Sequence, residues 1–254
     1  MSNISLVPEK GLKVVVVGGC GGMGRVLVRA ALEFDLQVAV LDLKASIEAF
    51  PPPEGVLSIA CDGTDEASVN TAFAQIEDDW KSLDALVNFV GFTNERRKIE
   101  AMSLAEWNEI LTGSLTSAFL INRAALPLLR KGRERAIVNT SSTFGVKVDL
   151  PGFGPYAVAK AGVINLTRVL ALECGPDIRV NALAPGLTQT AFLEGGTSRP
   201  EKKERTNTEF VAGMLPLKRV GQPEDMAGPI LFLIGPGSRY MTSQTLHVNG
   251  GLWS

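Results

Sequence analysis

Tyr156 and Lys160 are the residues of this sequence whose types and spacing point most directly to proton transfer. They are four residues apart, so they share one face of a helix. Tyrosine ordinarily has a pKa of about 10, too high for a base at neutral pH. A nearby lysine ammonium favours the phenolate and lowers that pKa. The pair therefore predicts a general acid or base, with the hydroxyl of Ser142, at the end of an upstream apolar run, placed beside it.

A glycine-rich segment, residues 17–24, is the second constellation with chemical meaning. It follows an apolar run and precedes a helical pattern, a context in which glycines let the backbone approach a pyrophosphate while the helix N-terminus supplies N–H groups. The glycines fit two spacings, Gly18-x3-Gly22-x-Gly24 and Gly19-x-Gly21-x2-Gly24. The loop therefore predicts dinucleotide binding without fixing the family.

Asp42 ends the second predicted strand, 18 residues after Gly24. A carboxylate at this position accepts hydrogen bonds from the adenosine ribose hydroxyls and repels a 2′-phosphate. The loop offers Cys20 and Gly21 in place of a basic side chain that would hold such a phosphate. The sequence therefore predicts NAD as cofactor rather than NADP, the alternative being that Asp42 only caps the turn that follows it.

Short apolar runs alternate with amphipathic segments along the chain, which predicts parallel strands joined by right-handed helical crossovers. The predicted strands are 12–17, 37–41, 56–60, 85–89, 136–140, 179–183 and 245–248, and the predicted helices are 24–34, 66–80, 104–129, 156–173 and 223–234. We expect an α/β protein, a single-domain Rossmann fold over residues 1–254 with a doubly wound, mostly parallel sheet and helices on both faces. The irregular segment 188–220 is predicted to be a lid over the substrate.

Composition excludes several classes of function. The 254 residues carry a net charge of −2 without a concentrated basic face, which argues against a nucleic-acid partner. His247 is the only histidine and the three cysteines are far apart, so neither a multi-histidine metal site nor a disulfide framework is expected. The apolar runs are short and no signal peptide is visible. We expect a cytoplasmic protein with no metal and no membrane partner.

These features together resemble the short-chain dehydrogenase/reductase family over essentially the whole chain. The matching stretches are 14–24, 42, 61–62, 88–91, 137–142, 156–160, 178–186 and 241–251. The resemblance implies interconversion of an alcohol and a ketone, in which a nicotinamide cofactor carries the hydride. It also implies that Tyr156 moves the proton, Ser142 binds the substrate oxygen and Lys160 binds the nicotinamide ribose.

The same resemblance implies a set of cofactor-binding residues. In it, Asp62 touches the adenine and Asn88 stabilises the central sheet. The set is Gly18, Cys20, Gly22, Met23, Gly24, Asp42, Leu43, Cys61, Asp62, Asn88, Val90, Gly91, Tyr156, Lys160, Pro185, Gly186, Thr188 and Thr190.

The sequence departs from the family pattern near the predicted catalytic residues. Ser142 and Tyr156 are 14 residues apart, one more than is common in the family, so Thr143 is an alternative to Ser142. Counting from Trp107, Ser114 occupies the position of the family's catalytic asparagine, whose backbone holds a water that relays protons to the lysine. We expect serine to preserve the helix distortion and the water, and activity to be altered rather than absent.

The substrate and the assembly are left open by the sequence. Leu172 stands where acyl-carrier-protein reductases of the family carry arginine, which leaves sugars, polyols, steroids and small hydroxy compounds as candidates. The alternative function is an NAD-binding sensor or scaffold protein of the same fold, and a methyltransferase is a distant third. The family's assemblies suggest a homotetramer or homodimer formed through helices 104–129 and 156–173. Candidate residues for the substrate pocket are Phe92, Thr93, Asn94, Phe144, Val148, Phe192 and Trp253.

Overall fold

A parallel sheet forms the centre of the protein, for which a computed structural model describes residues 5–198 and 206–252. Its strands are β1 (Lys13–Val17), β2 (Gln37–Asp42), β3 (Leu57–Ala60), β4 (Ala85–Asn88), β5 (Ala136–Thr140), β6 (Arg179–Pro185) and β7 (Thr245–Val248). The seven strands lie in the order β3-β2-β1-β4-β5-β6-β7, and every neighbouring pair is parallel.

Helices cover both faces of this sheet. They are α1 (Gly22–Glu33), α2 (Lys44–Ala49), α3 (Glu66–Trp80), α4 (Leu104–Leu111), α5 (Ser117–Leu129), α6 (Gly154–Cys174), α7 (Thr208–Met214) and α8 (Glu224–Ile234). Alternate residues of a strand point to opposite faces. Val15 and Val17 of β1 accordingly join one apolar core with α3, α5 and α6, while Val14 and Val16 join a second core with α1 and α8. This is a doubly wound Rossmann fold.

The order of the strands creates the crevice that the functional site uses. The chain runs outward from β1 through β2 to β3 and then returns to β4 on the other side of β1. Connections leave the carboxyl ends of β1 and β4 in opposite directions, which opens a ligand-binding crevice at this edge of the sheet. The segments that follow β1 and β4 are the glycine-rich loop and residues 89–97.

The ends of the predicted strands and helices agree with the structure to within two residues, and the main differences are an interrupted helix and two short helices. The predicted helix 104–129 is interrupted by a π-helical turn at Thr112–Thr116. The short helices α2 and α7 were not predicted, because six or seven residues are too few to show a helical period. Strand β6 continues to Pro185, two residues beyond its predicted end at 183.

Asp84 ties together the beginnings of neighbouring strands. Its side chain is buried, and one carboxylate oxygen accepts the backbone N–H of Lys13 at 2.9 Å. The other oxygen accepts the backbone N–H of Arg133, just before β5. A buried carboxylate thus satisfies two backbone donors that lie outside the ladder of the sheet.

We predict that Asp84→Ala lowers the free energy of unfolding by about 1–3 kcal/mol, because two backbone N–H groups lose the buried carboxylate that accepts their hydrogen bonds. Urea unfolding at neutral pH measures the change. Asp79→Ala, on the exposed side of α3, is the matched control and should alter stability by less than about 0.5 kcal/mol. Equal effects of the two substitutions would contradict the anchoring role of Asp84.

Candidate active site

The glycine-rich loop after β1 makes close backbone contacts that leave no room for a side chain at Gly18 or Gly24. Gly18 has a φ of +78°, a left-handed conformation that favours glycine. A Cβ atom on Gly24 would lie 2.3 Å from the carbonyl oxygen of Gly18 and 2.7 Å from the Cα of Gly19. The first turn of α1 therefore packs directly on the loop, and the N-terminus of α1 borders a cavity of about 260 Å³. We call this the loop cavity.

Asp42 lies on the wall of the loop cavity and is fixed by backbone donors. Its Oδ2 accepts the N–H of Cys20 at 2.9 Å and its Oδ1 accepts the N–H of Leu43 at 2.8 Å. Burial raises the pKa of Asp42 above its ordinary value, and these backbone hydrogen bonds oppose that rise. Ser46 is buried beside it and also hydrogen-bonds to the carboxylate. Each carboxylate oxygen has further lone pairs with which to accept a ligand hydroxyl.

A second cavity, of about 360 Å³, adjoins the first at the carboxyl ends of β5 and β6. Ser142, Tyr156 and Lys160 all line it, so the structure brings together the three residues that the sequence singled out. We call it the tyrosine cavity. Met23, Phe89, Gly91, Thr190 and Phe192 line both cavities and mark where they meet.

Tyr156 is buried near the start of α6, and its hydroxyl is hydrogen-bonded to Ser142. Burial raises the pKa of Tyr156 to about 12, and the hydrogen bond to Ser142 opposes the rise. Of the two hydroxyls that the spacing left open, the one bonded to the tyrosine is therefore Ser142. Thr143 lines the same cavity and begins a short 3-10 turn.

Lys160 lies one helical turn beyond Tyr156, and its ammonium group is buried. Its Nζ donates to the carbonyl oxygen of Thr140 at 2.8 Å and to that of Val90 at 3.4 Å. Burial lowers the pKa of Lys160 to about 8. Its Nζ is 5.8 Å from the centre of the Tyr156 ring, and burial is the larger effect on both groups. We expected Lys160 to lower the pKa of Tyr156. In the structure, burial instead raises that pKa, and Ser142 is the side chain that opposes the rise.

A π-helical turn at Thr112–Thr116 faces the lysine across Gly91. Gly113 in this turn leaves room for the ring of Phe92, since a Cβ there would lie 2.1 Å from the ring. Ser114 is fully buried, and within the described part of the chain its Oγ has no hydrogen-bond partner. A Cβ on Gly91 would lie 2.7 Å from the Nζ of Lys160 and 3.3 Å from the Oγ of Ser114. Gly91 therefore lets both polar groups approach the same point.

Comparison with known proteins agrees with this geometry. A family model described as enoyl-(acyl carrier protein) reductase matches residues 18–253. A 3-oxoacyl-(acyl-carrier-protein) reductase from Chlamydia pneumoniae is 34% identical over 95% of this chain and 97% of its own length. The protein of that name from Staphylococcus aureus strain MW2 is 33% identical over 94% of this chain and 97% of its own. The solved structure of an aldohexose dehydrogenase from Thermoplasma acidophilum has a TM-score of 0.84 and 27% identity, covering 96% of this chain and 94% of that one.

The chain belongs to the short-chain dehydrogenase/reductase family. It is therefore an oxidoreductase of a family that uses a nicotinamide cofactor. In the described residues, no helix is long and apolar enough to cross a membrane. Nor do residues 5–198 and 206–252 contain a group of three or more histidine, cysteine or acidic side chains able to hold a metal ion.

Most of the cofactor-binding residues predicted for this dehydrogenase/reductase line one of the two cavities. The loop cavity is lined by Gly18, Gly22, Met23, Gly24, Asp42, Leu43, Cys61, Asp62, Val90, Gly91 and Thr190. The tyrosine cavity is lined by Pro185, Gly186, Thr188 and Thr190 along with Tyr156 and Lys160.

Two of the predicted cofactor residues are not brought to a cavity wall. The Cys20 side chain is buried in the core, and its backbone N–H is held by Asp42. Asn88 is also buried, and its side-chain oxygen accepts the N–H of Val90 at 3.0 Å. Both residues therefore help to fix the backbone near the site through hydrogen bonds without lining either cavity.

The residues that the sequence suggested for the substrate pocket lie at different places in the structure. Thr93, Asn94, Phe144 and Phe192 line the tyrosine cavity, whereas Phe92 lines the loop cavity. Val148 is exposed, and Trp253 lies outside the described residues. Sequence reasoning missed cavity residues such as Ser46, Thr64 and Thr197, which lie in short or irregular segments without a recognisable motif.

The lowered pKa of Lys160 predicts a specific pH dependence of stability. Between pH 8 and about 10.4, its ordinary value, folded Lys160 loses its proton while the unfolded chain keeps it, so stability rises with pH. We expect wild-type protein to gain about 2.5 kcal/mol of unfolding free energy relative to Lys160→Met between pH 7 and pH 10.

The measured quantity is the difference between the two stability curves, from denaturant unfolding at several pH values. Burial raises the pKa of Cys20 to about 12 and that of Cys61 to about 11, which lowers stability at alkaline pH in both proteins and cancels in the difference. A difference that stays constant across the range would contradict the buried, readily deprotonated lysine.

Proposed function

We propose that this protein is an NAD-dependent oxidoreductase that interconverts a secondary alcohol and a ketone. One observation carries the proposal. The Tyr156 hydroxyl, bonded to Ser142, lines the tyrosine cavity where that cavity meets the loop cavity. A substrate oxygen bound by these two hydroxyls would have its carbon next to the junction, which is where a redox cofactor in the loop cavity has to react.

The residues of the tyrosine cavity would handle the proton. When bound, the nicotinamide supplies the hydride or accepts it. In reduction Tyr156 gives its proton to the forming alkoxide, and in oxidation it takes that proton back. With a pKa near 12, Tyr156 carries its proton at neutral pH, which is the state that ketone reduction requires. The relatives named as 3-oxoacyl reductases also favour reduction as the working direction.

Lys160 and Ser114 would return protons to this site. A lysine with a pKa of about 8 exchanges protons readily near neutral pH. The Ser114 hydroxyl, which has no hydrogen-bond partner among residues 5–198 and 206–252, lies across Gly91 from the lysine, and this arrangement suits a bridging water. In this proposal Ser114 preserves the relay that the family's asparagine otherwise serves.

Asp42 is the residue that would favour NAD over NADP. Its carboxylate lines the loop cavity and is fixed by Cys20 and Leu43, so it cannot turn away from a 2′-phosphate without losing both bonds. The described lining of this cavity includes no lysine or arginine to offset that charge. The fixed negative charge of Asp42 on the cavity wall thus supports the non-phosphorylated cofactor.

We predict that Asp42→Ala lowers kcat/KM for NADH by about 10–100-fold, because the ribose loses a charge-assisted hydrogen bond. Discrimination against NADPH should shrink by at least as much, since the repulsion disappears with the carboxylate. Steady-state kinetics with both cofactors measures this, with Asp79→Ala as an unchanged control. A wild-type preference for NADPH would contradict the assignment of NAD.

Turnover should depend on the hydroxyl of Tyr156. With a panel of ketones and NADH, Tyr156→Phe should reduce kcat by about 10²–10⁴-fold, because the proton donor is removed. The Kd for NADH, measured by quenching of protein fluorescence, should change little. Retention of wild-type kcat in this variant would contradict Tyr156 as the acid.

An NAD-binding sensor or scaffold protein is the second candidate, and Ser114 is the observation that favours it. If the relay at Ser114 does not work, the cofactor binds and no substrate is turned over. Tight NADH binding without turnover across the ketone panel would therefore select the sensor.

We further propose a lid and an assembly. The 3-10 turn at Ala191–Glu194 and helix α7 contribute residues to the tyrosine cavity, which supports a lid formed by segment 188–220 of a single domain over residues 1–254. Residues 199–205 of that segment lie outside the described residues. Val158, Val169 and Leu172 expose an apolar stripe on α6, and Phe119 is exposed on α5. Such faces support pairing of these helices in a homotetramer or homodimer.

A further inference from the structure

The wall of the tyrosine cavity beside Tyr156 is made of phenyl rings. Phe144 and Phe153 pack on each other with ring centres 4.8 Å apart. The ring of Phe144 meets that of Tyr156 edge-on at 6.5 Å. Phe192, from the 3-10 turn at Ala191–Glu194, contacts the Tyr156 ring at 5.7 Å. The ring that carries the reacting hydroxyl is thus packed against two phenylalanine rings.

The described lining of the cavity also includes three charged residues, Glu95, Arg96 and Asp149. The guanidinium of Arg96 packs over the ring of Phe153 at 5.0 Å, and Asp149 forms an ion pair with Lys147. Most of the cavity surface is nevertheless apolar, and it includes Leu187 and Leu193, which follow β6, and Phe210 and Met214 of α7. Burial of a polar group against such surfaces is costly unless the group finds a hydrogen-bond partner.

Several polar groups of the described lining already use their hydrogens within the protein. The hydroxyl of Thr93 donates to the carbonyl oxygen of Asn94 at 3.3 Å, and that of Thr188 donates to the carbonyl oxygen of Gly186 at 3.2 Å. The amide of Asn94 donates to Glu109 at 2.9 Å. A sugar or polyol has a hydroxyl on almost every carbon, and these three groups have fewer hydrogens left to donate to it.

We propose that the tyrosine cavity takes an apolar ketone with one or two rings, or the matching secondary alcohol, and that Phe144 and Phe153 determine this specificity. The proposal rests on the proposed function, since it names the substrate class of the same site. Flat rings pack on aromatic side chains in offset or edge-to-face arrangements, which open-chain substrates cannot reproduce. A volume of about 360 Å³ is at the small end for ligand cavities, which suits a molecule of this size.

The first test compares three ketones with wild-type protein and NADH. They are 2-tetralone, the open-chain keto sugar xylulose, and the linear thioester acetoacetyl-coenzyme A. We expect kcat/KM for 2-tetralone to exceed that for each of the others by at least about tenfold. An equal or higher value for xylulose overturns the apolar assignment, and an equal or higher value for the thioester overturns the ring preference.

The second test changes the wall. Phe153 is the N-cap residue of α6, and asparagine is a favoured N-cap, so Phe153→Asn makes the wall polar while preserving the start of the helix. We expect KM for 2-tetralone to rise about tenfold and KM for NADH to stay unchanged. Phe144→Leu, which keeps the wall apolar but removes the ring, should give a smaller rise. Phe34→Asn, at the exposed C-terminal end of α1, is the control. Equal KM values for 2-tetralone in all four proteins overturn the proposal.

A binding measurement separates this proposal from the reaction itself. Calorimetric titration of 2-tetralone into Tyr156→Phe saturated with NADH measures occupancy without the proton donor. Binding that Phe153→Asn, introduced into the same variant, weakens about tenfold supports the substrate class even if no turnover is found in any protein. Absence of binding to Tyr156→Phe, with NADH still bound, overturns the substrate class and leaves the oxidoreductase assignment standing.

Discussion

The site depends on the hydrogen bonds that the buried ammonium group of Lys160 donates to the backbone. The ammonium group is held by two carbonyl oxygens, one at the carboxyl end of β5 and one just after β4. These carbonyls meet there because β4 and β5 are parallel neighbours and end at the same edge of the sheet. Gly91 has no side chain to block the approach, since a Cβ would lie 2.7 Å from the nitrogen. The lysine thereby sets the position of α6, and Tyr156, one turn earlier, is carried with it to the junction of the two cavities.

Burial shifts the pKa values of this pair in opposite directions. It raises the pKa of Tyr156 to about 12 and lowers that of Lys160 to about 8, because desolvation favours the neutral form of each group. Tyr156 therefore keeps its proton at neutral pH, as a tyrosine of ordinary pKa also does. Lys160, in contrast, is brought close to the pH at which it exchanges its proton.

The aromatic residues that line the tyrosine cavity cause part of this desolvation. Phe144 and Phe192 shield the tyrosine from water, and Phe92 fits into the π-helical turn because residue 113 is glycine. That turn also places the Ser114 hydroxyl near the lysine. The aromatic surroundings therefore raise the pKa of the tyrosine and at the same time restrict what can lie against it. Proton chemistry and substrate selection in this cavity have a common physical origin in the exclusion of water.

Local signals in the sequence were enough to predict a doubly wound, mostly parallel sheet, the succession of strands and helices along the chain, and the pair Tyr156 and Lys160. These signals are continuous apolar runs for buried strands, glycines at the turn after the first strand, and a four-residue spacing that places Tyr156 and Lys160 on one helical face. The order of the strands within the sheet and the contacts within the site come from the folded structure. Three features of the site depend on contacts between distant segments of the chain. Ser142 rather than Thr143 is bonded to the tyrosine, and the backbone N–H of Cys20 donates to Asp42. Lys160 donates to one carbonyl at the end of β5 and to another just after β4. The pKa values depend in addition on how completely water is excluded. That is a property of the packed fold, which no spacing of residues in the sequence reveals.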